Sequence, residues 1–146
     1  MPLRKPEQFK AAGSLVFREA PTSKESIRGW VEIARGKAND ASNPKNSPST
    51  RLGCAYDCVL TLSLAVLNAH KWRATSADGH HKESLEAACS LAGISVIAFD
   101  DMDAVRSLRN DQYMGLPPAA GDVALAIMSM EHIAPKLLNM LQQYLR

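Results

Sequence analysis

Apolar side chains recur at helical spacing along most of the chain, and the breaks between these runs mark out the elements. Thr22 with Glu25 three residues on has the form of a capping box. Ile27, Trp30, Val31, Ile33 and Ala34 follow it and predict a helix to about Ala38. The stretch NDASNPKNSPST, 39–50, holds almost nothing but loop formers and predicts a mobile connection. From about Ser49 to Trp72 comes the longest and most apolar segment. Its Leu60, Leu62, Leu64, Val66 and Leu67 lie around the whole circumference, so its middle should be buried on most sides.

RATSADG then breaks the chain, and HHKESLEAACSLAG predicts a further helix closed by Gly93. ISVIAF has the composition of a strand, but without a second convincing strand it is expected to pack as a connector. Asp100 or Asp101 should cap a fifth helix to about Met114. After GLPPAAG, Asp122 should cap a last helix that continues to the C-terminus and kinks at Pro135. Upstream, a short helix is expected from near Pro6 to Gly13, and SLVFREAP is ambiguous. The expected fold is therefore all-α: an antiparallel helical bundle of four long helices plus one or two short ones. Residues 1–21 would form a short helix and connector, and 22–146 the bundle domain.

Composition narrows the class without identifying it. At 146 residues the chain suits one domain with a full core. Hydrophobic residues at 46% and charged residues at 22% place it among globular rather than disordered chains. A net charge of +2 neither demands nor excludes a nucleic-acid partner. MPLRKPEQFK has no apolar core of a secretory signal, and VLTLSLAVL is about half of the roughly 20 residues that cross a bilayer. Both point to a soluble cytoplasmic protein with no membrane partner and reduced cysteines.

The candidate chemistry concentrates in DAVRSLRNDQYMGLPP, Asp103 to Pro118. On a helical wheel Met102, Val105 and Leu108 mark the apolar face, and Arg109 projects between Met102 and Val105. Arg106, Arg109 and Tyr113 then line the margin of the buried face, where an unpaired arginine is costly. The structural explanation is that Arg109 bonds a neighbouring carbonyl or carboxylate such as Asp57. The functional one is that it meets a ligand or partner.

His80 and His81 open a helix, where backbone donors favour anions and Arg109 would lie close by. The simpler expectation is that one of them caps the helix and the other is solvated. His132 on the last helix could reach across a dimer, and His70 should meet the C-terminal dipole of the spine helix. Cys54 and Cys58 share a helix face at a spacing a metal could use, but no matching pair completes four ligands. Buried free thiols are the expectation. Asp100, Asp101 and Asp103 fit helix capping better than magnesium. No phosphate loop, nucleophile elbow, dinucleotide fingerprint or dense basic run is present. Neither a metal nor a cofactor is expected.

Three segments carry a family resemblance: STRLGCAYDCVLTLSLAVL on the spine, GHHKESLEAA on the next helix, and LRNDQYMG before the last long helix. Over roughly residues 22–145 the chain resembles the HEPN superfamily of small helical domains that bind nucleotides or cleave RNA. There an Arg-Asn or Arg-Asp pair is followed some residues on by a histidine, and often a tyrosine. By that resemblance Arg109 and Asn110 would hold phosphate or ribose, Tyr113 would orient them or bond the partner subunit, and Arg106 would add charge. Their place at a helix N-terminus, rather than the resemblance, is what would give His80 and His81 phosphate contacts or proton transfer.

The resemblance implies a homodimer that binds RNA or a nucleotide, and a metal-independent endoribonuclease of a prokaryotic toxin–antitoxin or defence system. The departure is the histidine: none stands between His81 and His132. Binding therefore carries over more fully than cleavage does. The alternative is a non-catalytic dimeric module that docks a protein partner, such as a nucleotidyltransferase or an antitoxin.

Overall fold

The computed structural model describes residues 2–146 and is mostly helical, at 71%. In chain order the elements are α1 (Pro6–Ala11), β1 (Phe17–Glu19), α2 (Lys24–Ser42), α3 (Pro48–Ala69), β2 (Trp72–Ala74), α4 (His80–Leu91), α5 (Val96–Asp111) and α6 (Ala120–Leu141). Short 3-10 turns follow α5 and α6.

α3 is the spine. Leu52, Tyr56, Val59, Leu62, Val66 and Leu67 are all sealed from solvent, because α2 and α6 pack along its length and α4 and α5 close the remaining side. By length and composition α3 also reaches what is needed to cross a membrane, which the apolar run VLTLSLAVL had not suggested. Two-thirds of that window is buried in the fold, so its apolar surface is already spent on neighbouring helices. Phe9, Val16 and Phe17 join the same core as the helices.

Several boundaries differ from the expected ones, each for a local reason. The cap of α2 is Ser23, whose hydroxyl accepts from the Ser26 N–H at 3.1 Å. Thr22 instead donates its hydroxyl to the Asn68 carbonyl at 2.9 Å, tying the start of α2 to the end of α3. α2 runs on to Ser42 because Ala41 is buried and its carbonyl accepts from Arg51 Nε at 2.9 Å. Tertiary contact thus overrides weak helix formers, and the connection shortens to five residues, 43–47. Within it Asn46 Nδ2 donates to the Asp40 carbonyl at 2.8 Å.

α3 stops at Ala69, and His70 Nδ1 meets the Val66 carbonyl at 2.9 Å, the C-terminal contact expected of it. Lys71 then takes a left-handed conformation, φ 66°, and turns the chain into β2. Here lies the strand partner that the sequence did not disclose. β1 and β2 pair antiparallel with Phe17 opposite Ala74 and Glu19 opposite Trp72, so SLVFREAP resolves into one edge of a two-stranded sheet.

ISVIAF is not a connector. Ser95 caps α5 by accepting from the Ala98 N–H at 3.1 Å, and VIAF forms the first turn of the helix. Asp100 and Asp101 lie inside α5, exposed, and cap nothing. α5 ends three residues before Met114, the remainder tightening into the 3-10 turn Gln112–Met114. α6 begins at Ala120, so its cap is Ala119 rather than Asp122, and the Asp122 carboxylate, in the first turn of the helix, reaches back to accept from the Ala119 N–H at 2.9 Å. α6 continues as one helix through Pro135 to Leu141, with exposed Glu131 and His132 on the flank where the missing hydrogen bond falls.

Candidate functional site

Three elements converge on the Tyr56 ring. α3 supplies Tyr56 and Asp57, the first turn of α4 supplies His80 and His81, and the last turns of α5 supply Arg106 and Arg109. Gly79 makes the approach of α4 possible: at φ 79° it takes a conformation that costs glycine little and sets the two histidines against α3.

The guanidinium of Arg109 lies 5.3 Å from the centroid of the Tyr56 ring, and the His81 ring lies 6.4 Å from the same centroid. Arg109 Nη2 pairs with Asp57 Oδ1 at 3.3 Å, and Lys37 Nζ approaches the other Asp57 oxygen at 3.8 Å. One turn back along α5, Arg106 Nε donates to Asp103 Oδ1 at 2.8 Å, with Lys82 Nζ 3.8 Å from Oδ2. The ion pair with Asp57 is thus the structural role foreseen for Arg109. It leaves much of the guanidinium uncommitted. One nitrogen of the fork is engaged, at a distance longer than the about 2.7–2.9 Å of a strong charge-assisted bond. The network holds four cations against two carboxylates, and both arginine side chains are about one-quarter exposed.

Titration behaviour follows from this packing. Burial pushes the Tyr56 phenol up to about 12, against the opposing pull of Arg106 and Arg109. Its hydroxyl is buried and has no hydrogen-bond partner among the described residues. His81 is held below its ordinary value by burial first, then by His80 and Arg109, so it is neutral at pH 7. The His80 and His81 rings sit edge to face, 4.1 Å apart. His80 Nδ1 meets the Ala77 carbonyl at 3.0 Å. Only a protonated Nδ1 can bond a carbonyl, so the neutral ring presents Nε2 as an acceptor.

Of the residues singled out by the sequence, the structure brings together Arg106, Arg109, His80 and His81. Neither histidine has the expected part. The cap of α4 is Gly79; His80 is anchored backwards to Ala77, and His81 is half-buried rather than solvated. Asn110 is exposed, with no side-chain hydrogen bond among the described residues. Tyr113 stands beyond α5 in the 3-10 turn and is 79% exposed. His132 lines a separate recess with Ser95 and Asp101, its Nε2 3.5 Å from Lys136 Nζ.

Cys54, Cys58 and Cys89 are buried free thiols, each pushed up by burial, Cys58 to about 11 and Cys89 to about 12. Among the described residues no group of three His, Cys, Asp or Glu side chains is placed to hold a metal. Tyr56, Lys37 and Lys82 were not singled out by the sequence reading. For Tyr56 and Asp57 a signal existed, the adjacent pair on the spine; for the two lysines nothing local gave one.

Comparisons with family models, curated proteins and solved structures found no match to this chain. The reading of the site rests on its own geometry.

Proposed function

We propose that the Arg106–Arg109 cluster binds a phosphate of RNA or of a nucleotide, in a HEPN-like bundle of four long antiparallel helices that acts as a cytoplasmic homodimer. The toxin–antitoxin or defence setting follows from the resemblance. The observation that carries the binding reading is the set of free donors: Arg106 and Arg109, each about one-quarter exposed, meet one carboxylate apiece through a single nitrogen, and the more exposed Lys37 and Lys82 add two further cations beside them. Guanidinium donors left free at a partly buried, net cationic cluster fit an anionic ligand that accepts from them.

His81 extends the reading to cleavage. The motif histidine is missing, but His81 packs on the same Tyr56 ring as Arg109, and its neutral ring at pH 7 suits a general base. In metal-independent cleavage it would take the proton of a ribose 2′-hydroxyl while the 2′-oxygen attacks phosphorus. The bond to the 5′-oxygen breaks, leaving a cyclic phosphate and a 5′-oxygen that takes its proton from water. Arg109 and Arg106 would hold the charge on the phosphoryl oxygens.

The test uses purified protein and a structured RNA. Arg109→Ala and Arg106→Ala should each weaken binding and abolish cleavage while circular dichroism stays unchanged. Cleavage that survives both substitutions sinks the assignment.

A second reading is favoured by a different surface. Tyr113, Met114 and Leu116 are 79%, 80% and 58% exposed in one short segment, an apolar tip that suits a docking module for a nucleotidyltransferase or an antitoxin. Growth arrest on expression separates the two readings, since a nuclease is toxic and a docking module is not.

A further inference from the structure

Beside the arginine cluster lies a half-open cavity of about 300 Å³, bordered by α3, α4 and the end of β2 with the loop that joins it to α4. Its volume is at the lower end of the roughly 300–1,000 Å³ of small-molecule sites. Resting on the phosphate reading above, we infer that this cavity seats the nucleobase of a ribonucleotide, recognised by its base as well as its phosphate.

Position is the first argument. Tyr56, Leu60 and Leu64 are spaced by four and form one ridge of α3. Arg109 covers Tyr56 at one end of the ridge, and Leu60 and Leu64 line the cavity at the other. Four residues of helix rise about 6 Å, so the cavity begins one turn from the cations, a separation that a ribose fills. His81 belongs to both, packed on Tyr56 and lining the cavity.

The chemistry of the walls is the second argument. Leu60 and Leu64 line the cavity together with the flat rings of His80 and His81, side chains of the kind on which a planar heterocycle stacks. Ser84 adds an unmet hydrogen-bonding group: its side-chain oxygen is buried, the residue is 1% exposed, and no partner exists among the described residues. Helical serines usually satisfy themselves, as Ser63 does by donating to the Val59 carbonyl at 2.8 Å. Ser84 does not, and an unsatisfied buried hydroxyl is a standing cost that a ligand can relieve.

The neighbouring Thr75 hydroxyl has its proton committed, donating to the Leu15 carbonyl at 2.7 Å, and it accepts from the Ala77 N–H at 3.3 Å. That leaves Ser84 and the acceptor Nε2 of His80 to meet the polar edge of a base. His81, one turn before Ser84, makes no side-chain hydrogen bond among the described residues, so its ring is free to turn as the base enters.

Calorimetric titration of the full chain with the four 5′-mononucleotides, their nucleosides, ribose 5-phosphate and inorganic phosphate tests the inference. At least one mononucleotide should bind about tenfold or more tightly than ribose 5-phosphate, the increment expected for one stacked and hydrogen-bonded base. Ser84→Ala should erase most of that increment and leave ribose 5-phosphate within about twofold, since only the base meets the hydroxyl. Leu64→Phe, which fills the cavity, should erase it independently. A trinucleotide titrated alongside distinguishes an RNA strand from a free nucleotide as the source of the same base and phosphate.

Mononucleotides that bind no more tightly than ribose 5-phosphate overturn the base seat and leave the phosphate site standing. Nucleosides that bind through Ser84, while inorganic phosphate and ribose 5-phosphate do not, keep the base seat and overturn the phosphate site. No binding by any probe overturns both.

Discussion

Asp57→Asn separates a structural arginine from a ligand-binding one, because it should move stability and affinity in opposite directions. The substitution removes the charge that Arg109 meets at 3.3 Å and Lys37 at 3.8 Å. Coulomb's law gives the shorter pair about 1.3 kcal/mol at the dielectric of water and about 5 kcal/mol at an effective value of 20. The side chains are 25% and 26% exposed for the Arg109 pair, and Lys37 is 39% exposed, so solvent screening governs. Measured pairs of that exposure are worth about 0.2–1 kcal/mol, which sets the loss for both together at about 1–1.5 kcal/mol.

For a domain of this size that is a fall in Tm of about 3–6 °C, read by thermal unfolding with a urea titration as a check. Affinity should rise. An anion on the free edge of Arg109 sits roughly 7 Å from Asp57, where removing one negative charge is worth about 0.6–1.2 kcal/mol at dielectric values of about 80 to 40. Binding of a single-stranded RNA in about 0.1 M salt, where the Debye length is about 10 Å, should therefore tighten about three- to eightfold. A variant that loses stability but binds RNA no better refutes the anion site and leaves Arg109 as a fold-stabilising pair. A variant with unchanged stability refutes the energetic weight given to the pair.

Tyr56→Phe removes a buried hydroxyl without a partner, so it should leave stability unchanged or raise it by up to about 1 kcal/mol; a loss beyond that in urea unfolding would show the hydroxyl to be bonded. His81 has a folded pKa below its ordinary 6.5, so on acidification the unfolded chain takes up the proton first and stability falls as pH drops through 6.5. The difference in unfolding free energy between pH 7.5 and 5 should shrink in His81→Gln, and an unchanged difference would remove the burial argument for this ring. The three thiols should react with a disulfide reagent at pH 8 far more slowly in the native chain than in urea. Cys54, the least buried of them, should react first, and Cys89, pushed up to about 12, last or together with global unfolding.

Where sequence and structure agree, the signal was periodic and long. α3 carries apolar residues on all sides over six turns, so burial was legible from spacing alone, and the position of Arg109 at the margin of the buried face followed from Met102 and Val105. Where they part, the deciding contact is remote in sequence. Ala41 keeps α2 helical through a bond from Arg51, and three residues of β1 form a strand because Trp72–Ala74 lies opposite. A strand of three residues has no room for a two-residue period to show itself. ISVIAF misled because β-branched residues suit strands, yet Ala98, Phe99, Met102 and Val105 bury one helical face and Ser95 supplies the cap.

The site shows the same division between local and remote information. A helical wheel can place Arg106, Arg109 and Tyr113 on one stripe, but it assumes that the helix continues, and α5 tightens into a 3-10 turn at Gln112. Tyr113 falls in that turn, beyond the helix that carries the arginines, and is 79% exposed. The Gln112 side chain marks the place, its Oε1 accepting from the Ser49 hydroxyl at 2.7 Å and tying the end of α5 to the start of α3. With α5 anchored there, Arg109 lies over the Tyr56 ring, and His81 of α4 packs on the same ring. On the proposed function, pairing with Asp57 does not oppose an anion: the carboxylate engages one nitrogen of the guanidinium, and the remaining donors stay unpaired among the described residues.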